Sequence, residues 1–160
     1  MATMTPLPHE FRDLLSSFNA QGLRYLLVGG WAVSRHGYVR YTHDIDLWIA
    51  VSSENADRLI AAMMAFCNVA PSKKWIVEER KTIEFGKPPL MVHIICDIAG
   101  VKFDACYANR IEDQWDGIDV PVIALRDLLK NKRAAGRLKD LADVDALEKR
   151  HKLKGKKKKK

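Results

Sequence analysis

Leu26-Leu27-Val28-Gly29-Gly30-Trp31-Ala32, followed after a short interval by Asp44-Ile45-Asp46-Leu47, is the stretch on which the reading of this chain turns. Leu23 to Val28 is a mostly apolar run, the pattern of a buried strand. Gly29 and Gly30 permit a sharp turn and a close approach to the backbone. Trp31 to His36 then reads as a short helix whose first N–H groups point outward, where a phosphate can sit. Asp44 and Asp46 are two apart on the next apolar stretch. On a strand, that spacing puts both carboxylates on one face, about 6.6 Å apart along the chain. Ile45 and Leu47 point the other way, into a core.

A Gly-Gly pair alone is a turn, and an Asp-x-Asp alone is a solvated strand end. In this order, with a helix between and apolar strands around them, they describe a site for a nucleotide and a divalent cation. Magnesium takes oxygen ligands, commonly one or two carboxylates together with substrate phosphates. Asp44 and Asp46 are therefore the candidate ligands of Mg²⁺ or Mn²⁺, and Gly29, Gly30 and Trp31 the candidate phosphate cradle. Arg40 and Thr42, just before the acids, are in reach of a phosphate or an acceptor; the alternative for Arg40 is a loop residue in water.

Gly29-Gly30-Trp31-Ala32 with Arg40-Tyr41-Thr42-His43-Asp44-Ile45-Asp46-Leu47 resembles the nucleotidyltransferase superfamily that includes DNA polymerase beta. Two branches look similar: small AbiEii-type proteins of bacterial toxin–antitoxin and phage-defence systems, and small lincosamide and aminoglycoside nucleotidyltransferases. Val120-Pro121-Val122-Ile123 and the segment Asn131 to Asp143 resemble the tail of the first. The resemblance spans about residues 10 to 149. It implies an α/β (α+β) fold: a small mixed sheet flanked by helices, a minimal nucleotidyltransferase fold with C-terminal helices. It also implies Mg²⁺-dependent transfer of a nucleoside monophosphate from an NTP to an acceptor hydroxyl. The acceptor would be RNA, tRNA or protein in the AbiEii-type branch, with an antitoxin-type partner, or an antibiotic in the other. Matching tail residues suggest that Lys132 faces the nucleotide phosphates, with Lys139 a second candidate.

The superfamily places a third carboxylate on a neighbouring strand, and the matched position here is His93. Three readings stand. His93 is a substitute general base; it replaces an acid and leaves a protein that binds nucleotide or a partner without reacting; or it is a core residue. Imidazole is a poor ligand for magnesium. Asp97, four residues on, is expected on the same strand face, about 13 Å away.

The chain has 160 residues and 48% apolar content, enough for one domain with a real core. Of its 27 Lys and Arg, seven lie in the last ten residues, where no acid stands, so residues 1–150 balance 20 basic against 20 acidic side chains. The division expected is a nucleotidyltransferase domain, 1–150, and a disordered basic tail, 151–160, that serves RNA binding or solubility or is an addition. Cys67, Cys96 and Cys106 lack metal spacing and read as buried thiols in a reducing compartment. With no membrane span and no signal-peptide pattern, the expected location is cytoplasmic.

The remaining elements expected are helices over 8–20, 52–68, 123–132 and 137–150, and short strands over 75–77 and 82–85. A strand over 91–98 with a hairpin partner at 101–104, an irregular segment to Gly117 and a last strand over 118–122 complete the reading.

Overall fold

In the computed structural model, residues 8–42 and 44–152 are described; His43 and most of the basic tail fall outside them. Buried apolar stripes fix the order of elements. Phe11, Leu14, Leu15 and Phe18 make one face of α1 (His9–Ala20). β1 (Tyr25–Val28) is buried along its whole length. α2 (Gly29–Arg35) follows β1 directly, and Gly29, with a left-handed backbone of φ +69°, makes the sharp turn into it. β2 (Asp44–Ile49) carries the acids. α3 (Ser53–Cys67) starts where the Ser52 side chain accepts the Asn55 N–H, and it buries Leu59 and Met63. Ile60 and Phe66 are only partly covered, and Cys67, expected inside, is exposed.

The rest are α4 (Lys73–Val77), β3 (Ile83–Lys87), β4 (Leu90–Ile95), α5 (Phe103–Ala108), β5 (Ile111–Trp115), β6 (Ile118–Val122), α6 (Leu125–Ala135) and α7 (Leu138–His151). Among the described residues they form one six-stranded sheet in the order β3-β4-β2-β1-β6-β5. β1 runs antiparallel to β2 and parallel to β6, β2 parallel to β4, and the two outer pairs are antiparallel. The sheet is thus mixed and flanked by helices, as the sequence implied.

Four expectations fail locally. Trp75-Ile76-Val77 is helix, because the Ser72 side chain caps the Lys74 N–H and only Ile76 turns inward. Val101 to Asp104 is no hairpin partner of β4. That strand already has β2 on one side and β3 on the other, so no edge is free, and the chain coils into α5 instead. β4 stops at Ile95, which takes Asp97 off the strand face. The segment before Gly117 is not irregular but contains α5 and the polar edge strand β5. α7 runs through His151, whose Nε2 lies 2.6 Å from the His36 carbonyl oxygen. No helix among the described residues is long and apolar enough to cross a membrane.

Candidate active site

The alternation of β2 sorts its side chains. Ile45, Leu47 and Ile49 are fully buried beneath the sheet, and Asp44 and Asp46 stand on the other face, partly exposed. Strand pairing then sets their neighbours. Asp46 is opposite Val28 of β1, which brings Gly29 and Gly30 alongside. On the other side Asp46 is opposite His93 of β4, and His93 is opposite Glu84 of β3. One row across four strands therefore reads Val28, Asp46, His93, Glu84.

The contact between Gly29 and the carboxylate is close. A Cβ built on Gly29 would fall 2.1 Å from Asp46 Oδ2, and the backbone there has φ +69°. Glycine meets both demands. A Cβ on Gly30 would lie 2.7 Å from Thr42 Oγ1 and 3.3 Å from an Arg40 guanidinium nitrogen. The loop before the acids is thus laid directly over the start of α2.

His93 Nδ1 lies 2.9 Å from Asp46 Oδ1, while Nε2 faces Glu84 at 3.7 Å and Asp44 at 3.9 Å. Burial, helped by the charge of Asp44, pushes the Asp46 carboxyl above its ordinary range, against the charge and hydrogen bond of His93 and the charge of Lys132. His93 is a partly exposed member of the acid cluster, not a core residue.

Across the cleft, the ends of α6 and α7 supply positive charge, but most of it is already engaged. Lys132 is buried, with Nζ 3.2 Å from Asp140 Oδ1 and 3.1 Å from Asp143 Oδ2. Arg40 donates to both oxygens of Asp143 at 2.8 and 2.9 Å, so it is not a loop residue in water. Arg137 donates to Asp140 at 2.6 and 3.1 Å. Burial by itself would raise Asp140, yet the hydrogen bonds and charges of Arg137 and Lys132 prevail and hold it below the usual carboxylate range. Lys139 is exposed and makes no ion pair among the described residues.

These side chains enclose a cleft of about 420 Å³, whose lining includes Gly29, Gly30, Arg40, Thr42, Asp44, Asp46, His93, Lys132 and Lys139. Of the sequence candidates, Trp31 alone lies elsewhere. It is buried against Phe11 and Trp115, with ring centroids 6.5 and 4.7 Å away, because the first turn of α2 directs it into the core. The sequence reading gave no role to Glu84, Asp140 or Asp143. Asp140 and Asp143 carried a signal, two acids three apart on one helix face just beyond a Lys-bearing helix end.

The donor set fits magnesium in one way. Among the described residues no three His, Cys, Asp or Glu side chains converge as a ready metal cage. Asp44 and Asp46 instead offer a pair of carboxylates beside open space, the partial set that magnesium completes with water and phosphate oxygens.

No protein-family model matches the chain, and no curated protein does. Solved structures do. TM1012 from Thermotoga maritima, a provisionally assigned nucleotidyltransferase, superposes with a TM-score of 0.56 at 17% identity over 94% of this chain and 97% of its own. The antibiotic-resistance factor ANT(2'')-Ia superposes with a TM-score of 0.54 at 13% identity, over 88% of this chain and 81% of its own. The chain has the nucleotidyltransferase fold. At these identities the likeness concerns the fold.

Proposed function

We propose that the protein transfers a nucleoside monophosphate from an NTP to an acceptor hydroxyl, with Asp44 and Asp46 holding Mg²⁺ or Mn²⁺. The carrying observation is the single cleft in which both carboxylates sit over Gly29 and Gly30 and face Lys132 and Lys139. The bound cation would neutralise charge on the phosphates and on the attacking and leaving oxygens. Gly29 and Gly30 leave room for the triphosphate against the backbone. Lys139 is free to meet its outer phosphates, while Lys132 and Arg40 contribute a positive field from fixed positions.

The acceptor oxygen bonds to the α-phosphorus, and the bond from that phosphorus to the bridging oxygen breaks. Pyrophosphate leaves with the electron pair. In the tautomer that donates Nδ1–H to Asp46, His93 Nε2 keeps its lone pair and accepts the hydroxyl proton. Glu84 and Asp44, facing Nε2, stabilise the resulting imidazolium.

Two observations favour other readings of the same cleft. The His93–Asp46 hydrogen bond engages one metal-binding carboxylate, as suits a protein that binds nucleotide or a toxin–antitoxin partner without reacting. The likeness to ANT(2'')-Ia suits an antibiotic hydroxyl as acceptor. Incubation with each α-labelled NTP, Mg²⁺ and total RNA, with and without an antibiotic panel, separates them. Transfer to any acceptor that EDTA and Asp46→Asn both abolish supports the enzyme. Nucleotide binding without transfer supports the inert reading.

A further inference from the structure

The sheet face that carries Asp44 and Asp46 does not end at the cleft. Trp48 stands two residues past Asp46 on the same face, about 6.6 Å further along the strand. There α5 closes over the sheet. Phe103 meets Trp48 edge-on with centroids 5.2 Å apart, and Tyr107 stacks on Phe103 at 5.3 Å. Between α5, the end of β2 and the segment after β4 lies a second cavity of about 650 Å³. Asp97 lines both cavities, so they share a wall.

The second cavity is basic and aromatic. The Arg24 guanidinium lies over Tyr107 at 4.8 Å and over Phe103 at 5.6 Å, and pairs loosely with Asp104 at 3.6 Å. Arg80 is fixed on Asp97 by hydrogen bonds of 2.8 and 2.6 Å. Lys102 is exposed and makes no ion pair among the described residues. Three cations stand against two acids, so the wall favours an anion. Beyond the cavity, Arg110 lies over Tyr107 at 4.0 Å and prolongs the stack toward solvent. Flat rings and guanidinium planes beside a free ammonium are the chemistry that holds unpaired bases and their phosphates. The volume is that of a small-ligand pocket, room for one nucleotide unit.

We propose that this second cavity holds the acceptor and that the acceptor is a single-stranded nucleic acid. One base packs beside Arg24 and Phe103, its phosphate meets Lys102, and the next nucleotide passes Asp97 to present its hydroxyl at Asp44 and Asp46. The acceptor role rests on the transferase reading of the acid cleft; the binding does not.

The test is fluorescence anisotropy with a short fluorescein-labelled single-stranded RNA, in EDTA and without NTP. Lys102→Glu removes the phosphate contact. Ala105→Trp, at an exposed position that lines the cavity, fills it without changing charge. Each weakens RNA binding about tenfold, the loss of one stacking or phosphate contact. Arg12→Glu on α1 is the charge-matched control and stays near wild type, because the Lys-rich end contributes equally to all variants. NTP binding is unchanged in all three. Losses no greater than that of Arg12→Glu overturn the proposal, as does label that enters protein rather than RNA when the same variants are incubated with α-labelled NTP, Mg²⁺ and RNA. RNA binding that follows the variants while no label moves to any acceptor refutes the transferase reading and supports the cavity as a nucleic-acid site. Transfer to RNA that is indifferent to Lys102→Glu and Ala105→Trp refutes the cavity and spares the transferase.

Discussion

Gly29→Ala perturbs the candidate site by one methyl group, and the structure supplies its own control. Gly29 and Gly22 share a left-handed backbone, φ +69° and +68°, but a Cβ on Gly22 meets nothing within 4 Å. Alanine in that conformation costs about 1–2 kcal/mol. For a chain of this size each kcal/mol lowers Tm by roughly 2–4 °C. Gly22→Ala is therefore expected to lower Tm by several degrees and leave the cleft untouched. Gly29→Ala bears the same backbone cost, and its methyl also lands 2.1 Å from Asp46 Oδ2, where ordinary contact begins near 3.4 Å. The carboxylate must retreat by more than ~1 Å, and a displacement of that order at a reacting centre costs about a hundredfold in rate. It also loses its hydrogen bond from His93. Calorimetry with Mg²⁺ and NTP, transfer kinetics and thermal melts on both variants give the result. Equal metal binding and turnover in the two variants, with equal melting shifts, would refute the claim that Gly29 exists to seat Asp46.

Other outcomes follow from the same geometry. Asp44→Asn and Asp46→Asn each abolish Mg²⁺ binding by calorimetry, and unchanged binding in either removes it from the ligand set. Lys132→Met leaves Asp140 and Asp143 buried with less compensation, which costs about 3–5 kcal/mol and is read as a large fall in Tm; a melt within a degree of wild type contradicts this. Asp140 is held below the ordinary carboxylate range, so its contribution to stability is complete above about pH 4, near its unfolded pKa, and is lost as pH falls through the lowered folded value. Urea melts at descending pH should show this loss, reduced in Arg137→Gln; the same slope in both proteins argues against it. His93→Ala should lower transfer strongly with NTP affinity nearly unchanged, and His93→Asp should retain it; no effect from either makes His93 a bystander.

What the sequence disclosed about this molecule was what periodicity carries. The two-residue alternation of Asp44-Ile45-Asp46-Leu47 announced which side chains face the core and which face the cleft. The apolar stripes of α1 and α3 announced their buried faces. Trp75-Ile76-Val77 misled because three apolar residues in a row look alike in a strand and in a single helical turn. β5 was hidden by its own chemistry, since an edge strand with exposed Glu112 and Gln114 has no apolar rhythm. Glu84 entered the site only through register, two strands away from Asp46, and register is not written in the local sequence. The engagement of Lys132 and Arg40 by Asp140 and Asp143 depends on how α7 folds back, a three-dimensional fact that no spacing rule contains.

The bond from Arg40 to Asp143 joins residues 103 positions apart. A ribosome makes the acids of β2 early and the α7 carboxylates that tether the cleft's cations late. Until then Arg40 and Lys132 lack their carboxylate partners and the far wall of the cleft is incomplete. Closing so long a loop comes after the local helices and hairpins have formed. The nascent chain thus carries its acid pair through most of synthesis beside an unfinished cleft, and a chain stopped before residue 143 should fold much of the sheet without completing it.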